Sequence, residues 1–144
     1  MKVYVIYENE DWMPPLRTAL DDAGVPYEEW FVDDGHFDVT STPPEGVFLN
    51  RMSASSHTRG HTAAVEHTRQ FLAWLERHGR RVVNGAHAFE LEISKVQQHA
   101  ALEQAGLRTP ATRAVAGGEE ALLAAAEGVP TPFVTKHNRG GKGL

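Results

Sequence analysis

Pro130-Thr-Pro-Phe-Val-Thr-Lys136-His-Asn-Arg-Gly140-Gly-Lys-Gly-Leu144 reads as a short apolar strand, Phe133-Val134, that runs into a lysine and then into three glycines within four residues. Lys136, Arg139 and Lys142 bring three positive charges to this stretch, and no acid offsets them. Glycine lets a backbone pass close to a ligand and turn its N–H groups toward it. Cations interspersed with such amides suit an anion, above all a polyphosphate. The run is not a Walker A loop, because Gly143 rather than Ser or Thr follows Lys142 and Lys136 stands where the first glycine belongs. We read it as the first half of a phosphate-covering hairpin, with the residues after Lys136 expected to be mobile. A flexible polar tail would have the same composition, so the decision rests on what precedes it.

A chain of 144 residues can bury a real core. Its 41% hydrophobic and 23% charged residues describe an ordinary globular protein. No run of about 18 apolar residues could span a bilayer, and Met1-Lys2 leads into strand-like Val3-Tyr-Val-Ile-Tyr7 rather than a signal peptide. The absence of cysteine excludes disulfides and thiolate metal sites and is compatible with the cytoplasm. The net charge of −5 hides a gradient: residues 1–45 hold eleven acids and two bases, whereas residues 46–144 hold eight acids and twelve bases. The acidic front argues against nucleic-acid binding by bulk charge; the basic rear fits a local anion site.

Taken in order, Val3–Tyr7 predicts a buried strand. Asp11 is expected to cap a helix carrying Trp12, Leu16, Leu20 and Ala23, with Pro14-Pro15 in the first turn and Gly24 at its end. Residues 25–32 predict a second strand, and strand, helix and strand in about 30 residues imply a parallel βαβ unit. Turn-rich residues 33–46 lead to a third strand, Val47-Phe-Leu49, and then to the polar loop Asn50–Gly60, where ligands of open α/β sheets tend to bind. A helix over 61–78, with Val65, Thr68, Phe71, Leu72 and Leu75 on one face, precedes a fourth strand over 80–84. The fold expected for residues 1–85 is therefore α/β, a small Rossmann-like parallel sheet.

After Gly85 the chain turns Ala/Gln/Glu-rich and helical to Ala105, with Ser94 placed to break the helix and cap its second piece, and Gly106 closing it. Thr109–Val115 is expected to be extended because Pro110 pushes Thr109 out of the helical region. Gly117-Gly118 introduces a short helix over 119–127, and Pro130 and Pro132 lead to the final strand at Phe133-Val134.

Three pieces occur in a telling order: Val83-Asn84, Ser94-Lys95-Val96 and Leu102; then Gly106-Leu-Arg-Thr-Pro-Ala-Thr112; then Pro132-Phe-Val-Thr-Lys136 with Gly140-Gly-Lys-Gly143. This succession resembles the entrance of an ATP-grasp domain, closest in style to the RimK-like glutamate ligases, over about residues 82–144. The resemblance implies a pre-ATP-grasp domain at 1–85 and an incomplete α+β first lobe of an ATP-grasp domain at 86–144. It implies an ATP-dependent carboxylate–amine ligase acting through an acyl phosphate, with ATP and Mg²⁺ as cofactors and a small acidic, amino-acid or peptide substrate. By resemblance Lys95 and Lys136 contact the nucleotide, and Gly140, Gly141 and Lys142 belong to a loop that closes over the phosphates. His137 departs from the proline common after the second lysine. No carboxylate side chain follows Glu127, so the Mg²⁺ ligands of such an enzyme are expected outside this chain, the fragment is expected to be inactive by itself, and its exposed apolar side is expected to favour self-association into a homo-oligomer.

Other readings remain open. A flavodoxin-like binding or interaction module without chemistry would share the first 85 residues. His57 and His61, spaced i, i+4, and His67 are read as structural or surface residues rather than metal ligands, because no HExxH pattern accompanies them. Arg51 and Ser53 stand where an acidic substrate could dock. Asp33-Asp34 would suit a phospho-acceptor only at the third strand, where Asn50 stands instead.

Overall fold

The computed structural model describes residues 1–139. The chain forms two compact units, Met1–Ile93 and Ser94–Leu144. The first unit holds four strands, β1 (Val3–Tyr7), β2 (Tyr27–Phe31), β3 (Val47–Asn50) and β4 (Arg81–Val83), and the helices α1 (Pro14–Asp22), α2 (Ala64–Arg77) and α3 (Ala86–Ile93). All strands pair in parallel in the order β2-β1-β3-β4, with Tyr4 opposite Glu28 and Phe48, and Phe48 opposite Val82.

Alternation along β1 builds two cores. Tyr4 and Ile6 face a cluster with Phe48, Leu72, Leu75, Phe89 and Ile93, while Val5 and Tyr7 pack with Met13, against which Leu16 and Leu20 of α1 lie. Helices therefore cover both faces of the sheet, as parallel strands require. Leu72 and Leu75 on α2 are fully buried, and each such side chain contributes roughly 1.5–3 kcal/mol. Phe89 and Ile93 carry α3 into the same core, and the compact unit runs to Ile93.

Several sequence expectations change here. Asp11 does not cap α1. Asn9 instead caps a 3-10 turn at Glu10–Trp12, its side chain accepting from the Asp11 N–H at 3.1 Å, and α1 begins at Pro14 with no side-chain cap. Two prolines suit the first turn of a helix but cannot continue one, so Trp12 falls outside α1 and lies 46% exposed. Gly24 takes the left-handed conformation (φ 61°) beyond the helix end, where a residue lacking Cβ costs least. Gly46 is needed for a different reason: a Cβ there would lie 2.5 Å from the Lys2 carbonyl oxygen.

An ion-pair cluster pins α1 to β2. Arg17 donates through Nε and Nη2 to both carboxylate oxygens of Glu29, at 2.7 and 2.6 Å, and through Nη2 to Glu10 at 2.8 Å; the Tyr7 hydroxyl donates to Glu10 at 2.6 Å. The bonds from Tyr7 and Arg17 hold the Glu10 carboxyl below its usual range, and those from Arg17 do the same for Glu29. Depressed folded-state values mean that this contribution is complete above the ordinary glutamate range and is lost as pH falls through the folded values. Arg17→Leu is accordingly expected to flatten the fall in melting temperature between about pH 6 and pH 3; an acid limb as steep as that of the unaltered protein would refute the assignment.

The second unit contains α4 (Lys95–Gln104) and α5 (Glu119–Ala126). Ser94 breaks the helical run as its sequence position suggests, accepting from the Gln97 N–H at 3.2 Å as the N-cap of α4. Arg113 Nη1 donates to the carbonyls of Ala125 and Glu127 at 2.5 and 2.8 Å, placing a cation at the negative end of α5. The strand expected at Phe133-Val134 does not form: 133–137 has no regular secondary structure and both side chains are exposed. A strand exists only when its backbone groups pair, and this segment finds no ladder partner among the described residues. No helix among the described residues is long and apolar enough to cross a membrane.

Candidate functional site

In the second unit, the start of α4 meets the segment after Lys136. The Lys95 N–H donates to the Asn138 carbonyl at 3.1 Å, and the Val96 N–H donates to Asn138 Oδ1 at 3.1 Å. Asn138 also exchanges hydrogen bonds with Ser94 Oγ at 3.3 Å. The backbone of Lys95 and the segment carrying Lys136 thus lie together, with Lys95 half-buried and Lys136 exposed. The docking has a local cause. The first N–H groups of a helix have no partner within it, and Asn138 and Ser94 together satisfy three of them. Those amides are therefore not open to a phosphate, and positive charge here comes from side chains. Gly140, Gly141 and Lys142 lie outside the described residues.

In the first unit, the polar residues gather at the carboxyl ends of the strands. The chain leaves β1 first to one side and later to the other, so β1 and β3 flank the switch point where open α/β sheets take ligands. Glu8, just past β1, has no exposed side-chain surface; it accepts from Arg59 Nη2, from Arg59 Nε at 3.2 Å and from His61 Nδ1 at 2.7 Å. His61 Nε2 stands 3.8 Å from Asp33 past β2. Arg59 in turn lies over the Trp12 ring, 5.7 Å from its centroid, a cation–π geometry. Asn50 and Asn84 clamp the ends of β3 and β4: Asn50 Nδ2 donates to the Asn84 carbonyl at 3.0 Å, and Asn84 Nδ2 to the Asn50 carbonyl at 3.2 Å. Asn84 holds a left-handed backbone, φ 55°, which asparagine tolerates better than most residues.

Between these groups opens a cleft of about 300 Å³, lined by Trp12, Asn50, Arg51, Met52, Asn84 and Glu92 among others. Arg51 thus lines the cleft as its place after the third strand suggests, whereas Ser53 is buried and bonds Ser55 Oγ at 2.8 Å. His57 and His61 do not act as a pair, since His61 turns to Glu8, and His67 stacks on Phe37 at 6.0 Å. Sequence reasoning missed Glu8, Arg59, Trp12 and Glu92 as site residues, and it named Asn84 only as part of the ordered resemblance. One signal was available for Glu8, an acid directly after a wholly buried parallel strand.

No family model matches the chain, and no curated protein matches it. Among solved structures it is similar to the crystal structure of an ATP-grasp RimK-domain protein from Sphaerobacter thermophilus DSM 20745, at 22% sequence identity and a TM-score of 0.67. The two chains share a fold. The match covers 97% of this chain and 52% of that one, so the chain spans about half the length of the ATP-grasp structure it resembles. The α/β architecture expected from the sequence is thereby shown, and the likeness at this identity is one of fold.

Proposed function

We propose that this chain supplies the opening part of an ATP-dependent carboxylate–amine ligase, with residues 1–85 as its pre-ATP-grasp domain and 86–144 as the start of its ATP-grasp domain. The observation that carries the reading is the docking of Asn138 on the first turn of α4, which draws the Lys136 segment to the residue bearing the other candidate lysine. The fold likeness to an ATP-grasp protein supports it. In such a reaction a carboxylate oxygen attacks the γ-phosphorus, ADP leaves, and an amine then displaces phosphate from the acyl carbon. The contribution of this chain is positioning and positive charge, which phosphoryl transfer demands more than covalent help.

The residues present fit a triphosphate through side chains. Lys95 and Lys136 supply point charges, while the engaged amides of α4 do not take part; Gly140, Gly141 and Lys142 complete the proposal as the covering loop. Mg²⁺ does not fit the described residues, since no group of three His, Cys, Asp or Glu among them could hold a metal. Its ligands in this reading come from elsewhere, and the chain by itself is expected to yield no ligation product.

Titrating ATP with Mg²⁺ into ¹⁵N-labelled protein is expected to shift the amide resonances of Lys95 and Lys136. Lys95→Ala and Lys136→Ala should each weaken binding roughly tenfold, the scale of one lost charge-assisted contact. Unmoved resonances at saturating ATP, or equal affinity in both variants, would overturn the proposal. A second reading, a binding module without chemistry, is favoured by one observation: the cleft at the sheet edge is lined wholly by residues of the first unit.

A further inference from the structure

We infer that His61 is a proton-operated pin: its imidazolium ties the end of β2 to the end of β1, and loss of one ring proton frees the turn at residues 33–36 along the carboxyl edge of the sheet. The ring lies between two carboxylates. Its Nδ1 is 2.7 Å from Glu8 Oε2, and its Nε2 is 3.8 Å from Asp33 Oδ2. An ionised carboxylate only accepts and a neutral imidazole carries one N–H, so only the doubly protonated ring presents a donor to both. Glu8 is wholly buried, with Arg59 as its other partner, and a buried acceptor left without its donor is costly. The single proton of a neutral His61 therefore stays on Nδ1. Nε2 then turns a lone pair toward Asp33, and the two repel.

The ring is held in place while the segment it pins is not. The His61 N–H donates to the Ser56 carbonyl at 3.2 Å across the 3-10 turn Ser56–Arg59, and Phe31 meets the ring edge-on with centroids 5.5 Å apart. Among the described residues no backbone hydrogen bond reaches residues 33–36, and Asp33–His61 is their one polar contact. The chain on either side is anchored. The Val32 N–H donates to the Tyr7 carbonyl at 2.8 Å, and Phe37 packs on Phe71 at 4.4 Å and on Trp74 at 5.1 Å. Release is thus confined to a few residues at the edge where open α/β sheets take ligands. Two other imidazoles bear on this segment. His36 lies in it, exposed, and His67 faces Gly35 from α2, its Cε1 3.7 Å from where a Cβ would stand. Among the described residues neither ring nitrogen of His67 has a hydrogen-bond partner, so charging His67 would loosen the turn as pH falls. The pin loosens it as pH rises, and the sign separates the two. The pin needs no nucleotide and stands apart from the ligase reading.

The test follows backbone ¹⁵N relaxation of the whole chain between about pH 5.5 and about pH 7.5, a window in which imidazoles titrate and ordinary carboxylates do not. The amide order parameters of Asp34, Gly35 and His36 are expected to stand at about 0.85 at the acid end and to fall to about 0.6 at the other. The fall should follow the titration of the His61 ring protons. In His61→Gln the turn should show the same order at both ends of the window. In Asp33→Ala it should be mobile at both, with the rest of the amide spectrum unchanged, and His36→Gln should leave the response in place. Order parameters that do not change across the window overturn the inference, as does a response that survives His61→Gln. So does an Asp33→Ala turn that stays rigid, or a turn that loosens toward acid pH.

Discussion

Replacing Phe48 by alanine is expected to destabilise the first unit by about 3–5 kcal/mol, the usual cost of removing a fully buried aromatic ring. Phe48 is completely buried on β3, between β1 and β4 in the sheet. Its ring stacks on Tyr4 with centroids 4.9 Å apart and meets Trp30 edge-on at 5.4 Å. The loss therefore combines transfer of the ring to water, a cavity flanked by side chains that α2 holds in place, and two aromatic pairs worth about 0.5–1.5 kcal/mol each. Against a total stability of about 5–15 kcal/mol, this is a large share. Urea unfolding followed by the fluorescence of the three tryptophans, all in the first unit, would measure it, with Phe133→Ala as the control. Phe133 is 46% exposed in the second unit, and its removal should change stability by no more than about 0.5 kcal/mol. A Phe48→Ala protein within about 1 kcal/mol of the parent would mean that the sheet is not packed as described.

The second large effect belongs to Glu8. Its side chain is wholly buried while Arg59 and His61 keep about a quarter of theirs exposed, 28% and 25%. Removing one partner of a buried pair costs about 3–5 kcal/mol and of an exposed pair at most about 1 kcal/mol; the partial exposure of the two bases puts Glu8→Ala at about 2–4 kcal/mol. Truncation leaves two donors beside a cavity without an acceptor and frees Arg59 from its place over Trp12. The double variant Glu8→Ala/Arg59→Ala should then cost less than the sum of the two single changes, by at least about 0.5 kcal/mol. Strict additivity in that cycle would show that Glu8 is merely buried and holds nothing. Because Trp12 lines the cleft, the same substitution should broaden its indole resonance, a readout that a simple packing loss elsewhere in the core would leave unchanged.

Much of the fold was legible because it is written in local chemistry. The β-branched and aromatic run of Val3–Tyr7, the helical spacing of Val65, Thr68, Leu72 and Leu75, the glycine after α1 and the serine before α4 each report on their own few residues, and each appears in the structure with its expected role. Where the reading failed, a local signal met a constraint it did not contain. Asp11 carries good capping chemistry, but the two prolines moved the helix start beyond it. Phe133-Val134 has strand composition, but composition does not provide the backbone partner that a strand needs. The candidate site was legible in part: Arg51 lines a cleft as its position suggests, while Lys95 and Lys136 were chosen from an ordered resemblance, and the Lys95 N–H bonds the carbonyl of Asn138, two residues past Lys136.

From the sequence alone come the order of the elements, the parallel character of the first unit, the break at Ser94 and the basic, glycine-rich close of the chain. Tertiary structure decided which polar residues meet. Glu8 reaches Arg59 and His61 across 51 and 53 positions, and Ser94 reaches Asn138 across 44. Periodicity and capping act over one or two turns of chain, whereas these contacts follow from placing β1 between β2 and β3, which brings four strand ends to one edge, and from the unsatisfied amides of α4, which draw a distant asparagine onto them.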